Sequence, residues 1–361
     1  MKFSTLFDLA CAVIVTACHA APPISSASAT AGDSVTQGGL RLHRSADAIR
    51  IVTSDISRFW LAVDHAANKD SATRVRLFRD EYFGRATIGL RDFVRLKLVR
   101  GHSDTTLAAY GALADTASVQ LAAATARWPR YYAGIRSASL AADTSAELVT
   151  TVRNGLRRLT VLYPPARFPD VYFVVGRAAT GGTSSANGLL MGVEIFSRGP
   201  ATPVDELPPG ERLAATIAAS GVLGPLVVHE AVHFLQPTDP EQRGLTLLKR
   251  VLLEGGANFL AELATHPFVD RLEYQRYGDA HADALWKAFR EDMNGIDSHR
   301  WISNYTVADN LGMPDLGYWV GYKISAGYYA RAADKRAAVR DLIQAREPER
   351  IWRASGYDGA P

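Results

Sequence analysis

The spacing of apolar residues predicts a helical N-terminal region. In the stretch ISRFWLAVDHAAN, Ile56, Phe59 and Trp60 recur at the intervals that place side chains on one face of a helix. The alanine-rich segment 104–127 and the amphipathic stretch LVTTVRNGLRRLTVL continue this helical pattern. We therefore expect residues 45–165 to form a helical region.

The pattern changes after the double proline at 164–165. DVYFVVGR and LLMGVEIF (residues 189–196) are typical of buried strands, and the Gly/Ser/Asn-rich stretch TGGTSSANG (residues 180–188) between them predicts a loop. From Glu211 onward the pattern is mostly helical again, with a restart at Pro225 just before residues 227–236 and a further helix predicted over 245–264. This order predicts an α+β fold that is predominantly helical, with a small mixed sheet. The second region covers residues 166–361, and we expect both regions to form one compact unit.

The N-terminus has the pattern of an export signal. An apolar stretch at positions 6–17 is too short to span a bilayer, so residues 1–17 are predicted to be a signal peptide. The residues Val-Thr-Ala before Cys18, together with Cys18, are similar to a bacterial lipobox, which predicts a lipid anchor on Cys18. The predicted location is the cell envelope, in the periplasm or on the outer membrane. The alternative is cleavage near Ala20 and free secretion. Residues 18–44 are expected to form a flexible tether.

Composition narrows the class of protein. Of the 361 residues, 47% are apolar and 21% are charged, which is the balance of a soluble globular protein. The formal net charge is +3 and no long basic run is present, which argues against nucleic acid as a partner. The only cysteines are Cys11 and Cys18, in or beside the predicted signal. The mature chain therefore has no internal disulfide, and any metal ligands must be His, Asp or Glu.

The segment VVHEAVHFLQ carries the strongest chemical signal. His229 and His233 are four residues apart, so on a helix both imidazoles lie on one face and can reach one zinc ion. Glu230 projects near the same face, where it can act as a general base on water activated by the metal. The flanking residues are apolar, and three polar side chains buried among them indicate a shared partner. The alternative is a chance match on an ordinary helix.

Two residues compete for the role of third ligand. Asp239 lies six residues after the second histidine, which is the metzincin spacing, but that pattern needs a glycine where this chain has Gln236. Glu254 lies on a second predicted helix, and the following glycines at 255–256 would let two helices approach the metal closely. We favour Glu254; the alternative is a solvent-facing glutamate beside a helix break. Asn258, one turn further on, is a candidate partner for the outer nitrogen of a liganding histidine.

The HEAVH box followed by LEGGANFLAE resembles the gluzincin arrangement of thermolysin-like peptidases. Several stretches more closely resemble a bacterial family of predicted zinc-dependent proteases related to a gliding-motility lipoprotein: VYFVVGRAATGGTSSANGLLMGVEIF, VVHEAVHFLQ, LLEGGANFLAEL, LWKAFREDM and DLGYWVGYKISAGYY. The resemblance spans residues 55–345. It implies a gluzincin-like pair of active-site helices beside the sheet, one zinc ion, and a peptide or protein substrate.

One departure from the gluzincin pattern concerns Asn258, which stands where these enzymes often have an acid. An amide still accepts a hydrogen bond from a histidine, but it adds no negative charge. This departure favours an alternative function, a non-catalytic cell-envelope or motility-type lipoprotein that is stabilised by zinc.

A peptidase also needs a donor for the oxyanion and a surface for its substrate. Tyr318 and Tyr322 lie on one face of a predicted helix, and either phenol is a candidate donor, although packing in the core is the commoner role of a tyrosine. His266 and His299 are weaker alternatives. The strand predicted over 189–196 is either an exposed edge that pairs with a peptide main chain or a core strand.

Overall fold

The computed structural model describes residues 34–37, 40–99, 107–178, 180–199, 201–208, 222–237, 244–305 and 311–359. Within these residues the fold is mostly helical with a small mixed sheet, which confirms the predicted α+β class. The N-terminal region contributes six helices to the described residues: α1 (Ser54–Ala66), α2 (Ser71–Leu77), α3 (Ile88–Phe93), α4 (Leu107–Arg127), α5 (Pro129–Thr144) and α6 (Ala146–Leu162).

The helices of this region form where the periodicity predicts them. Ile56, Phe59 and Trp60 are all buried on one face of α1. The side chain of Ser145 accepts a hydrogen bond from the backbone N–H of Leu148, which satisfies one of the free donors at the start of α6. Single π-helical turns extend α2 and α3, at Phe78–Tyr82 and Val94–Leu98.

The sheet has four strands in the order β3-β4-β6-β5. Strands β3, β4 and β6 run parallel, and β5 pairs with β6 antiparallel. The strands are β3 (Ile51–Val52), β4 (Val171–Val174), β5 (Gly182–Ser185) and β6 (Gly188–Gly192). The N-terminal and C-terminal regions therefore share one sheet, because β3 belongs to the first region and the other strands to the second.

Two predictions about this sheet are wrong. The segment 180–188 is not only a loop, because β5 lies within it; its Gly, Thr and Ser residues are extended by their pairing with β6 rather than by strand propensity. The strand predicted over 189–196 ends at Gly192, and Val193–Phe196 is a short helix, α7. β6 is a central strand, buried on both faces, which confirms the alternative of a core strand for this segment; β5 occupies the edge instead.

The C-terminal region is helical after the sheet. Its helices are α8 (Leu223–Leu235), α9 (Leu247–Ala264), α10 (Glu273–Ala280), α11 (Ala282–Asp292), α12 (Leu316–Arg331), α13 (Lys335–Gln344) and α14 (Pro348–Ser355). Two glycines let α9 and α12 cross with their backbones in contact: a side-chain carbon on Gly255 would overlap the backbone of Gly321 and Tyr322. The expectation that Gly255 brings together the helices that carry His233 and Glu254 is therefore wrong, because this glycine faces α12.

Three buried tyrosines of the N-terminal region bond to backbone carbonyls near the carboxyl ends of the strands. Tyr82 donates to the carbonyl of Val175 at 2.7 Å and Tyr132 to that of Gly176 at 2.8 Å. Tyr131 donates to a third carbonyl, that of Glu194, at 2.9 Å. The buried apolar residues of both regions form one continuous core.

A short hairpin precedes the helices. β1 (Ser34–Gln37) pairs antiparallel with β2 (Leu40–His43), and two backbone hydrogen bonds of 2.8 and 2.9 Å join His43 to Phe168. The flexible tether predicted for 18–44 is therefore wrong over its last part, because backbone pairing orders these residues despite their polar composition. The predicted signal and Cys18 lie outside the described residues. Among the described helices, none is both long and apolar enough to cross a membrane.

Candidate metal centre

Both histidines of the box lie on α8. Pro225 stands in the first turn of this helix, where its missing N–H removes no helical hydrogen bond. The helix ends at Leu235, because Gln236 turns to an extended conformation and Pro237 follows it. The two imidazole rings lie one turn apart, with their centroids separated by 4.5 Å.

The ligand atoms of three side chains converge between α8 and α9. Nε2 of His229 lies 2.9 Å from Nε2 of His233. Oε2 of Glu254 lies 3.1 Å from Nε2 of His233 and 3.9 Å from Nε2 of His229. Two ligands at tetrahedral angles, each about 2.0–2.1 Å from zinc, are about 3.3 Å apart. The measured separations bracket that value. Two imidazoles and one carboxylate are also a donor set that suits zinc, so these residues fit the ion.

The group is buried but reaches solvent. The exposed fraction of the side chain is 7% for His229, 5% for His233 and 16% for Glu254. Among the described residues, no further His, Cys, Asp or Glu joins the three. Asp239, the competing third ligand, lies outside the described residues. Three ligands leave a fourth position for water or substrate, as in catalytic zinc sites.

The charges of these side chains are coupled. Burial lowers the pKa of His229 to about 3, with a further contribution from His233. Burial acts in the same direction on His233, but the adjacent Glu254 carboxylate outweighs it and raises the pKa of His233 above its usual 6.5. The imidazolium in turn holds the pKa of Glu254 below its usual value, although burial opposes this. Without a metal at neutral pH, His229 is therefore neutral, and His233 and Glu254 form an ion pair.

This ion pair predicts a pH-dependent affinity for zinc. Because a histidine ligand must be neutral, metal binding has to release the proton of His233, so we expect about one proton to be released per zinc ion near pH 7. The apparent affinity should then rise about tenfold per pH unit while His233 is protonated in the metal-free protein. Calorimetry in buffers with different ionisation enthalpies measures the proton release. An affinity that stays constant between about pH 6 and 7.5 would contradict the prediction.

Gln236 is a polar contact of the group that the sequence interpretation missed. Its Oε1 lies 2.8 Å from Nδ1 of His233, and its Nε2 donates to the carbonyl of Leu253 at 2.9 Å. In the sequence, Gln236 stands out only as the residue at the position where the metzincin pattern needs glycine. The available signal was its position three residues after His233, which is the same face of the helix one turn later.

Asn258 lies near the other histidine, His229, but the predicted hydrogen bond to the outer nitrogen of that ring does not form. Its amide favours the charged form of His229, but the contact falls short of hydrogen-bond geometry, and Nδ1 of His229 has no partner among the described residues. The amide nitrogen of Asn258 donates to the hydroxyl of Tyr274 at 2.8 Å, and this bond orients the amide. Tyr274 was not predicted, and no motif or periodicity in the sequence marks it.

Glu230 packs against the edge strand β5. A side-chain carbon on Gly182 would overlap the carboxylate of Glu230, so only glycine leaves room for this carboxylate beside the strand. Burial raises the pKa of Glu230 to about 7, and the charge of His233 opposes the increase. A carboxylate that titrates near neutral pH can both accept and return a proton.

The structure brings one of the two candidate tyrosines to the group. The ring of Tyr318 stacks over that of His229 with centroids 6.3 Å apart, and the hydroxyl of Tyr318 is close enough to the carboxylate of Glu254 to help lower its pKa. Tyr322 lies one turn further along α12 and donates to Glu262 at 3.1 Å, two turns beyond Glu254 on α9. The prediction of Tyr322 as an oxyanion donor is therefore not supported by its position.

The two histidines considered as alternative donors have other contacts. His266 is exposed, and its Nδ1 lies 3.1 Å from the carbonyl of Pro267. His299 is also exposed and pairs with Asp297 at 2.6 Å. Of the four candidates for the oxyanion donor, Tyr318 is thus the one whose contacts include residues of the group.

Comparison of the chain with protein-family models, curated proteins and solved structures finds no match. The family resemblance read from the motifs therefore stays a prediction.

Proposed function

We propose that the protein is a zinc-dependent metallopeptidase in which His229, His233 and Glu254 hold one zinc ion. The observation that carries the proposal is the convergence of their three ligand atoms within 2.9–3.9 Å of one another. Glu230 follows the first ligand directly and has a pKa of about 7, which suits a general base. The half-buried setting of Glu230 and Glu254 supports access for water and substrate.

In this function each residue has a separate role. A bound zinc ion would supply Lewis-acid activation of water near neutral pH. Glu230 takes a proton from the water while the oxygen of the water attacks the carbonyl carbon of the peptide bond. Glu230 then returns a proton to the amine nitrogen as the C–N bond breaks. Tyr318 donates a hydrogen bond to the developing oxyanion, a role that its position next to His229 supports.

The proposed substrate is an extended peptide that lies along β5. This strand is the last in the sheet and contacts Glu230 at Gly182, so a peptide beside it would pass close to the general base. Ser184 is the half-buried residue of the strand and the other three are buried, so a substrate would reach the strand at Ser184. In this proposal β5 takes the place of the segment 189–196, which the sequence analysis named as the candidate edge strand for binding a peptide.

The proposal includes export to the bacterial cell envelope, with a lipid anchor on Cys18 or, alternatively, free secretion.

The second candidate function remains a non-catalytic, zinc-stabilised envelope or motility-type lipoprotein, which Asn258 favours because it adds no charge beside His229. A closed site with four protein ligands would support this alternative. The three ligands found within the described part of the chain favour the peptidase.

Metal analysis tests the proposed site. Purified full-length protein reconstituted with zinc should bind about one equivalent, and a thousandfold excess of zinc over the dissociation constant should stabilise the fold by about 4 kcal/mol. His233→Ala should lose this zinc. His266→Ala removes an exposed histidine that has no contact with the ligands and serves as the matched control. Less than about a tenth of an equivalent in the wild type would overturn the proposal.

A further inference from the structure

We propose that Gln236 is a positioning residue that holds His233 and Glu254 in place for the metal. The inference rests on the proposed zinc site and adds to it a residue outside the HExxH box and the ligand set. Gln236 is the first residue after α8, and its backbone N–H bonds back to the carbonyls of Val232 and His233. These backbone bonds fix the position of Gln236 at the end of the helix independently of its side chain.

The orientation of the Gln236 amide follows from Leu253. A backbone carbonyl can only accept a hydrogen bond, so the amide NH₂ must face the carbonyl of Leu253, at 2.9 Å. The amide oxygen then faces Nδ1 of His233, at 2.8 Å, and can only accept from it. When His233 becomes neutral to bind a metal, the proton that remains is therefore the one on Nδ1, and the nitrogen freed is Nε2, which faces His229 and Glu254.

The same side chain also joins the two helices that carry the ligands. Leu253 directly precedes Glu254 on α9, so the bond from Gln236 fixes the backbone next to the third ligand. One amide thus sets the ring of His233 and the position of the turn that presents Glu254. It does so without adding a negative charge beside His233, whereas a carboxylate at position 236 would add one.

Two substitutions separate these contacts. Gln236→Leu removes both, and we expect zinc affinity to fall about 10- to 100-fold, the usual effect of losing an outer partner of a liganding histidine. Gln236→Glu keeps an acceptor for His233 but loses the donor to Leu253, so its zinc affinity should lie between those of Gln236→Leu and the wild type. Gln344→Leu changes a half-buried glutamine at the end of another helix, α13, and should leave zinc affinity unchanged.

A second readout does not depend on zinc. In the metal-free protein, the Nδ1 proton of His233 should give a slowly exchanging NMR signal that disappears in Gln236→Leu and persists in Gln236→Glu. Unchanged affinity and an unchanged signal in folded Gln236→Leu would overturn the inference. A wild type that shows the signal but binds no zinc would overturn the proposed function and leave the hydrogen bond of Gln236 established. If Gln236→Leu does not fold, the outcome depends on Gln236→Glu: loss of the signal there also overturns the inference.

Discussion

Replacing Glu230 by glutamine is expected to lower peptide-bond turnover by about 10²- to 10⁴-fold, the usual contribution of a general base. The amide has nearly the same shape as the carboxylate, so it still fits beside Gly182 on β5. It has no lone pair basic enough to accept a proton from water. Because Glu230 is not one of the three ligands, the variant should bind zinc as the wild type does. Turnover on a broad peptide library and zinc affinity are the two measurements.

The control for this prediction is the same change at an exposed carboxylate. Glu147 lies in the first turn of α6 and is exposed, and Glu147→Gln should leave turnover unchanged. If Glu230→Gln and the wild type turn over peptides equally, Glu230 has no part in the reaction. If neither shows turnover while zinc is bound, the non-catalytic lipoprotein becomes the better account.

Gly255→Ala is expected to destabilise the fold by about 3 kcal/mol, at the upper end of the usual range for overpacking. The new methyl group would overlap the backbone of Gly321 and Tyr322 where α9 and α12 cross, and a backbone cannot move aside as a flexible side chain can. Separating the helices would also move Tyr318 away from Glu254. Denaturant unfolding of the metal-free protein measures the loss of stability.

The neighbouring glycine provides the control. In Gly256→Ala the nearest atom to the new methyl group would be the hydroxyl oxygen of Ser325, at 3.3 Å, so the change needs only a small adjustment. Because alanine is the better helix former by about 1 kcal/mol, this variant should be neutral or slightly more stable. Equal stability of the two variants would show that the backbone contact at Gly255 does not limit the crossing.

The grouping of the three candidate ligands was predictable because it depends on helical periodicity. The interval between His229 and His233 places them on one face of any helix, and the apolar flanks indicate that this face is buried. The helical pattern after Leu245 placed Glu254 on a second helix, and the structure brings it within 3.1 Å of His233. Asn258, one turn later on the same helix, could be placed for the same reason.

The remaining features depend on contacts between elements that are distant in the sequence. β5 has the Gly, Thr and Ser residues of a loop, and it is a strand because β6 supplies its hydrogen-bond partners. The role of Gln236 depends on the carbonyl of Leu253, which the sequence alone cannot place beside it. Tyr318 and Tyr322 are equivalent in their spacing, and only the packing of α12 against α9 separates them.

The position of the β1–β2 hairpin limits the reach of a membrane-anchored form. Cys18 is 16 residues before Ser34, where β1 begins. A fully extended chain spans at most about 3.3–3.6 Å per residue, so a lipid on Cys18 would hold the hairpin within about 55 Å of the bilayer. A tether that continued to residue 44 would allow about 90 Å. An acylated enzyme would therefore act on substrates close to the membrane to which it is attached.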